Sequence, residues 1–111
     1  MEERTLKEVC DLTGVTRRAV QGYEKAGLVT ATGKNKYGHL LYNETAIEKI
    51  KEIKQYQEFG FSIKEIQLLQ EVPKQKYLEM LENRLALMQL DKRKLQENIG
   101  KLEQLIAIKR Y

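Results

Sequence analysis

Between Lys74 and Arg110 the sequence offers no strong helix stop, and its apolar residues recur at alternating steps of three and four. The positions so spaced hold Leu78, Leu81, Leu85, Met88, Lys92, Leu95, Ile99, Leu102, Ile106 and Lys109. Eight of these ten are apolar, which is a sustained heptad seam. At about 1.5 Å per residue the helix would be ~55 Å long. In a chain of 111 residues, the segment before it is too small a head to cover such a seam. Each buried Leu or Ile contributes roughly 1.5–3 kcal/mol. The pattern therefore predicts a partner helix, most simply from a second copy, making the chain a homodimer. Lys92 interrupts the seam and would set register at some cost in stability. Leu87, Leu90, Leu105 and Ile108 widen the stripe, and Gly100 marks a bend or a close crossing.

Pro73 is the only proline, and the residue before a proline is steered away from the helical region. The domain boundary is placed there: a head over residues 1–72 and a dimerisation helix over 73–111. In the head, Thr5-Leu6-Lys7-Glu8 fits a capping box and opens a helix to about Thr13. Its apolar face is Leu6, Val9, Cys10 and Leu12. Gly14-Val15 turns the chain. Thr16 then caps a second helix that Gly27 stops. Ala19, Val20 and Tyr23 can face inward, while Arg17, Arg18, Gln21 and Gly22 can face out.

Helix, glycine-containing turn and a polar, basic second helix make the outline of a helix-turn-helix. The prediction is that Thr16–Gly27 enters the major groove of double-stranded DNA. Gln pairs bidentately with adenine, and Arg with guanine or phosphate. Positive charge at a helix N-terminus opposes the helix dipole. Two adjacent arginines there call for an anion, and phosphate is one. Residues 16–43 carry five basic side chains (Arg17, Arg18, Lys25, Lys34, Lys36) and one acid, Glu24, so the +4 net charge of the chain is matched by this stretch alone. Gly22 costs a helix about 1 kcal/mol against Ala; it either permits a close backbone approach or is neutral.

Leu28–Thr32 and His39–Tyr42 read as two short strands joined by Gly33–Gly38, a basic hairpin that follows the recognition helix as a wing. Lys34 and Lys36 are expected near phosphates, with Tyr37 and His39 as hydrogen-bond partners. Asn43 caps a helix to Phe59, stopped by Gly60, with Ala46, Ile47, Ile50, Ile53 and Tyr56 as its core stripe. Ser62-Ile63-Lys64-Glu65 is a second capping box opening a short helix through Leu69.

This order of parts, with the segments V-T-R-R-A-V-Q-G-Y-E-K-A-G-L-V and F-G-F-S-I-K-E-I, resembles the MerR family of transcription regulators. The motifs cover about Thr5–Leu69. The resemblance implies a mostly α fold: a winged helix-turn-helix head with a small two-stranded wing, followed by a long antiparallel coiled-coil dimerisation helix. It also implies a homodimeric bacterial regulator that binds a pseudo-palindromic promoter element and distorts it, acting on RNA polymerase indirectly. Arg18 and Tyr23 match the family's DNA-contacting positions. Gln21-Gly22 stands where the family usually has Arg-Tyr, and Gly38-His39-Leu40-Leu41-Tyr42 where the wing usually reads G-Y-R-x-Y. Taken as complete, a chain ending at Tyr111 has no room for a drug-sensing effector domain. It also lacks the cysteines that metal-sensing members carry near the ends of the dimerisation helix. A pocket lined by Tyr77, Met80 or Met88 is the remaining place for a small-molecule effector, and core packing is the alternative for those side chains.

Other classes are narrowed by what the chain holds. Cys10 is the sole cysteine, so an internal disulfide and a cysteine-rich metal site are excluded, and a reducing, cytoplasmic setting fits. No apolar run approaches the ~20 residues of a membrane span. No nucleophile–base or paired-carboxylate constellation stands out, and His39, the one histidine, lies in the wing. The expectation is a non-enzyme without cofactor, metal ligands or catalytic residues. The alternative to DNA binding is a protein-interaction module that docks through the coiled coil and the head.

Overall fold

The computed structural model describes residues 3–111. Its elements, in chain order, are β1 (Arg4–Thr5), α1 (Leu6–Thr13), α2 (Arg17–Lys25), β2 (Gly33–Lys34), β3 (Leu40–Tyr42), α3 (Glu44–Glu58), α4 (Ile63–Glu71) and α5 (Lys74–Lys109). Chain contacts fall into two units, one ending at Glu71 and the other spanning Val72–Tyr111.

Local chemistry accounts for the helix limits. Before α1, Thr5 Oγ1 accepts from the Glu8 backbone N–H at 3.3 Å, and the Thr5 backbone N–H donates to Glu8 Oε1 at 2.9 Å. That backbone donor, with the Thr5 hydroxyl, holds the Glu8 carboxyl below its usual range. Ser62 and Glu65 repeat the reciprocal pair ahead of α4, at 2.9 and 3.1 Å. Thr16 and Asn43 each accept from a third-residue N–H, of Ala19 at 3.1 Å and Ala46 at 2.9 Å. Two helices close in the same way. Gly27 (φ 75°) and Gly60 (φ 99°) take the left-handed conformation. The following N–H groups, of Leu28 and Phe61, reach back to Tyr23 O and Tyr56 O at 3.0 Å. This double closure satisfies carbonyls that a helix end leaves open. At the second, the Tyr56 and Phe61 rings meet edge to face with centroids 6.0 Å apart.

The head's core is one cluster. Val9, Val20, Tyr42, Ile50, Ile53 and Ile66 are fully buried, with Val15, Tyr23, Leu28, Val29, Ala46, Ile47, Tyr56, Phe61 and Leu69 around them. The stripe expected on α3 is buried at all five positions. On α1 only Val9 is buried; Leu6 and Cys10 are half-buried, and Leu12 is exposed.

The sheet differs from the expectation in two ways. It is three-stranded and antiparallel, ordered β1-β3-β2. Arg4 pairs with Tyr42 and Thr5 with Leu41, while Gly33 pairs with Leu41 and Lys34 with Leu40. The added strand, β1, is two residues long and carries no alternating pattern to read. Leu28–Thr32 is not a strand: Leu28 and Val29 are consecutive core residues, so their side chains cannot obey the in-out alternation of a pleated edge. Backbone pairing to β3 starts only at Thr32, whose N–H donates to Leu41 O at 2.8 Å.

The second unit is a single 36-residue helix, unbroken through Gly100, in which no residue is buried. Leu78, Leu85, Met88, Leu95, Ile99, Leu102 and Ile106 of the seam are all exposed, Leu95 by 62%, and Leu81 is half-exposed. Tyr77 and Met80 are half-buried.

Ile50→Ala would leave a cavity at the centre of the head. Such deletions cost about 2–5 kcal/mol. The expected result is a lower urea midpoint at unchanged m-value, read from helical ellipticity.

Candidate nucleic-acid interface

The second helix presents two unlike faces. Val20 and Tyr23 point into the core; Thr16, Arg17, Arg18, Gln21, Gly22 and Lys25 are exposed. The first turn of α2 has no acidic residue to offset the dipole, and two arginines occupy it. The outer face is thus cationic, lined with hydrogen-bond donors and rimmed by free backbone N–H groups, a surface suited to phosphate and base edges.

Tyr23, expected as a DNA contact, lies on the inner face of α2. Its ring is 3% exposed and its hydroxyl donates to Gln57 Oε1 at 2.6 Å. Three residues after Val20, it continues the inward stripe of the helix rather than the outward one. Burial pushes its hydroxyl pKa up. The residue anchors α2 to α3 through Gln57.

Other polar links secure α2 and its turn. Gln67 Nε2 on α4 donates to Ala26 O at 2.7 Å, just past the end of α2. Lys54 Nζ on α3 donates to Gly14 O at 3.2 Å, in the turn before α2. Tyr42, at the end of β3, donates its hydroxyl to Glu24 Oε1 at 2.5 Å. Burial foremost, then the Glu24 hydrogen bond and charge, drive the Tyr42 pKa far upward, so the phenol stays the donor. Gln57, Gln67 and Lys54 carry no signal in the sequence, since single polar residues on helices have no spacing that marks them as struts.

The wing is a short turn with defined geometry. Asn35 Oδ1 accepts from the N–H groups of Tyr37 and His39 at 2.9 and 3.0 Å. Asn35 N–H donates to His39 O at 2.9 Å, and Gly38 takes a left-handed φ of 82°. Lys34, Lys36, Tyr37 and His39 are all exposed. Lys36 Nζ lies 5.2 Å from the centre of the Tyr37 ring, and the Tyr37 and His39 rings are 6.4 Å apart. Asn35 is the residue the sequence reading passed over. Its signal was the asparagine side chain's tendency to bond its own backbone two residues on.

Among the described residues, no group of three or more His, Cys, Asp or Glu side chains is placed to hold a metal ion, and no helix is long and apolar enough to cross a membrane.

Comparison with known proteins agrees with this geometry. The model of a family described as MerR HTH family regulatory protein matches residues 4–71. Nodulation protein NolA of Bradyrhizobium elkanii is 36% identical over 59 residues, which are 53% of this chain and 27% of that protein. The chain thus spans about a quarter of that relative's length. Among solved structures, a MerR family transcriptional regulator from Bacillus cereus superposes with a TM-score of 0.76 at 19% identity, covering 93% of this chain and 79% of that one. HiNmlR, a MerR family regulator lacking the sensor domain and bound to promoter DNA, gives a TM-score of 0.74 at 18% identity, covering 96% and 89%. At these identities the two superpositions establish the fold.

No heavy atom lies within 4 Å of the place where a side chain at Gly22 would begin. The head's own packing therefore does not require glycine there. Gly22→Ala is expected to stabilise the head by up to about 1 kcal/mol, read as a higher melting temperature. A simultaneous loss of duplex affinity would locate DNA against that turn of α2.

Proposed function

The chain belongs to the MerR family of helix-turn-helix regulatory proteins, and from that premise we propose that it acts as a homodimer, binding a pseudo-palindromic promoter element and distorting it. The observation that carries this reading is the exposed, acid-free first turn of α2, with Arg17 and Arg18 outermost on a helix whose inner face is locked into the core. On this reading Thr16, Arg17, Arg18 and Gln21 address the major groove, and Lys34, Lys36, Tyr37 and His39 address flanking backbone. HiNmlR, whose structure holds promoter DNA, supplies a precedent for this fold on a duplex. The setting is the cytoplasm, and RNA polymerase responds to the reshaped promoter rather than to the protein itself.

The dimer follows from α5. An antiparallel pair of seams layers Leu81 against Ile106 of the second copy, Leu85 against its Leu102, and Met88 against its Ile99. Lys92 then meets Leu95 of the second copy near the two-fold axis. These exposed apolar side chains are what supports the pairing. A helix with such an exposed stripe gains stability by covering it. Residues 1–72 would then be the DNA-binding domain and 73–111 the dimerisation domain.

Two outcomes test the reading. With a duplex selected from a random pool, binding should weaken steeply as salt rises, because phosphate contacts release counterions. Arg18→Ala should cost about 1–3 kcal/mol of binding, tenfold or more, while sedimentation still shows a dimer. Unchanged affinity in that variant would remove α2 from the interface. Separately, Leu95→Asp should yield monomers in sedimentation equilibrium, and Lys92→Leu should tighten the dimer. A wild-type chain that is monomeric and shifts no duplex at low salt would favour the docking-module reading instead.

A further inference from the structure

We propose that Tyr42 is a positioning residue for DNA binding: through its hydroxyl bond to Glu24 it sets the wing against the recognition helix, so that both engage one duplex together. The inference rests on the DNA-binding reading above and adds to it a residue that touches no DNA.

The root of the wing is rigid. Thr32 N–H donates to Leu41 O at 2.8 Å, the Asn43 N–H donates to Thr32 Oγ1 at 2.7 Å, and Thr32 Oγ1 donates to Glu3 Oε2 at 2.9 Å. Strand pairing fixes Lys34 opposite Leu40, two residues from Tyr42 on the same strand. The basic turn therefore moves as one piece with the end of β3, where Tyr42 sits with no exposed surface. The helix α2 packs on α1 and α3, and the Tyr42 hydroxyl is a polar link from the sheet to it. That link is a charge-assisted contact of 2.5 Å, shorter and stronger than one between neutral groups.

Glu24 is otherwise out of place. It is the one acid among residues 16–43, on the helix that carries Arg17, Arg18 and Lys25. A carboxylate there opposes DNA electrostatically. Its bond to the one polar atom of a fully buried side chain accounts for its presence. The ring of Tyr42 serves the core, while the hydroxyl serves the angle between two DNA-facing elements.

The full-length chain and a duplex selected by it provide the test. Tyr42→Phe keeps the ring and removes the link. Binding should weaken about tenfold or more, the affinity scale of one lost hydrogen bond to a charged group. The slope of log affinity against log salt should become shallower by about one to two per head, as the wing lysines leave their phosphates. Lys34→Ala combined with Lys36→Ala should then add nothing to Tyr42→Phe. Glu24→Gln, which keeps an acceptor oxygen, should retain the wild-type slope; Glu24→Ala should lose it, and serves as the second probe if Tyr42→Phe melts early. A Tyr42→Phe protein that is weaker at unchanged slope and fully additive with the lysine variants would make Tyr42 a packing residue only. Unchanged affinity would overturn the proposal as well. Wild type binding no duplex would remove the DNA reading itself, an outcome distinct from wild type binding while Tyr42→Phe behaves identically.

Discussion

The apolar stripe of α3 is the wall on which the head is built. Ala46, Ile47, Ile50, Ile53 and Tyr56 are all buried, and α1, α2, β3 and α4 each pack against that helix. The recognition helix has only two buried residues of its own, Val20 and Tyr23. A nine-residue helix with so narrow an apolar edge is marginal alone. Its existence and direction are borrowed from the α3 surface it covers.

Packing alone leaves a helix free to slide or rotate on an apolar wall, because the hydrophobic effect is non-directional. Direction comes from hydrogen bonds. Gln57 holds α2 through Tyr23, Gln67 holds the carbonyl just past its end, Lys54 holds the turn before it, and Tyr42 holds its acidic residue. Each such bond contributes about 0.5–1.5 kcal/mol between neutral groups and about 1.5–3 kcal/mol where one group is charged, and together they span the helix from its entry to its exit. The outer face is then free to be chosen for its ligand. It can carry two arginines on the wrong pole of a helix dipole and a glycine that the fold does not need. Both choices reduce stability, and both favour close contact with an anionic surface.

In α5 the pattern stands by itself, since no residue of that helix is buried. Its seam residues are exposed except for the half-exposed Leu81, so the isolated chain leaves the stripe largely uncovered. Their heptad spacing is the pattern by which a coiled coil covers such a stripe. On the proposed pairing, Lys92 near the centre would weaken association while discouraging other registers.

Much of this was legible from residue order because it depends on local chemistry. Two reciprocal capping boxes, the Thr16 and Asn43 caps, the stops at Gly27 and Gly60, and the α3 stripe are each specified within a few residues, since helix ends satisfy their own orphan groups nearby. The basic outer face of α2 was legible for the same reason: helical periodicity assigns faces without any partner. What only the tertiary structure decided depends on residues far apart in the chain. The two-residue strand at Arg4–Thr5 exists because β3 offers it an edge, and Leu28–Val29 fills the core instead of a strand because the space beneath it is apolar. The hydroxyls of Tyr23 and Tyr42 bond to Gln57 and Glu24, which stand 34 and 18 residues away in sequence. Propensity and periodicity act over one or two turns of chain, whereas a hydrogen bond between distant residues exists only once the core has brought them together.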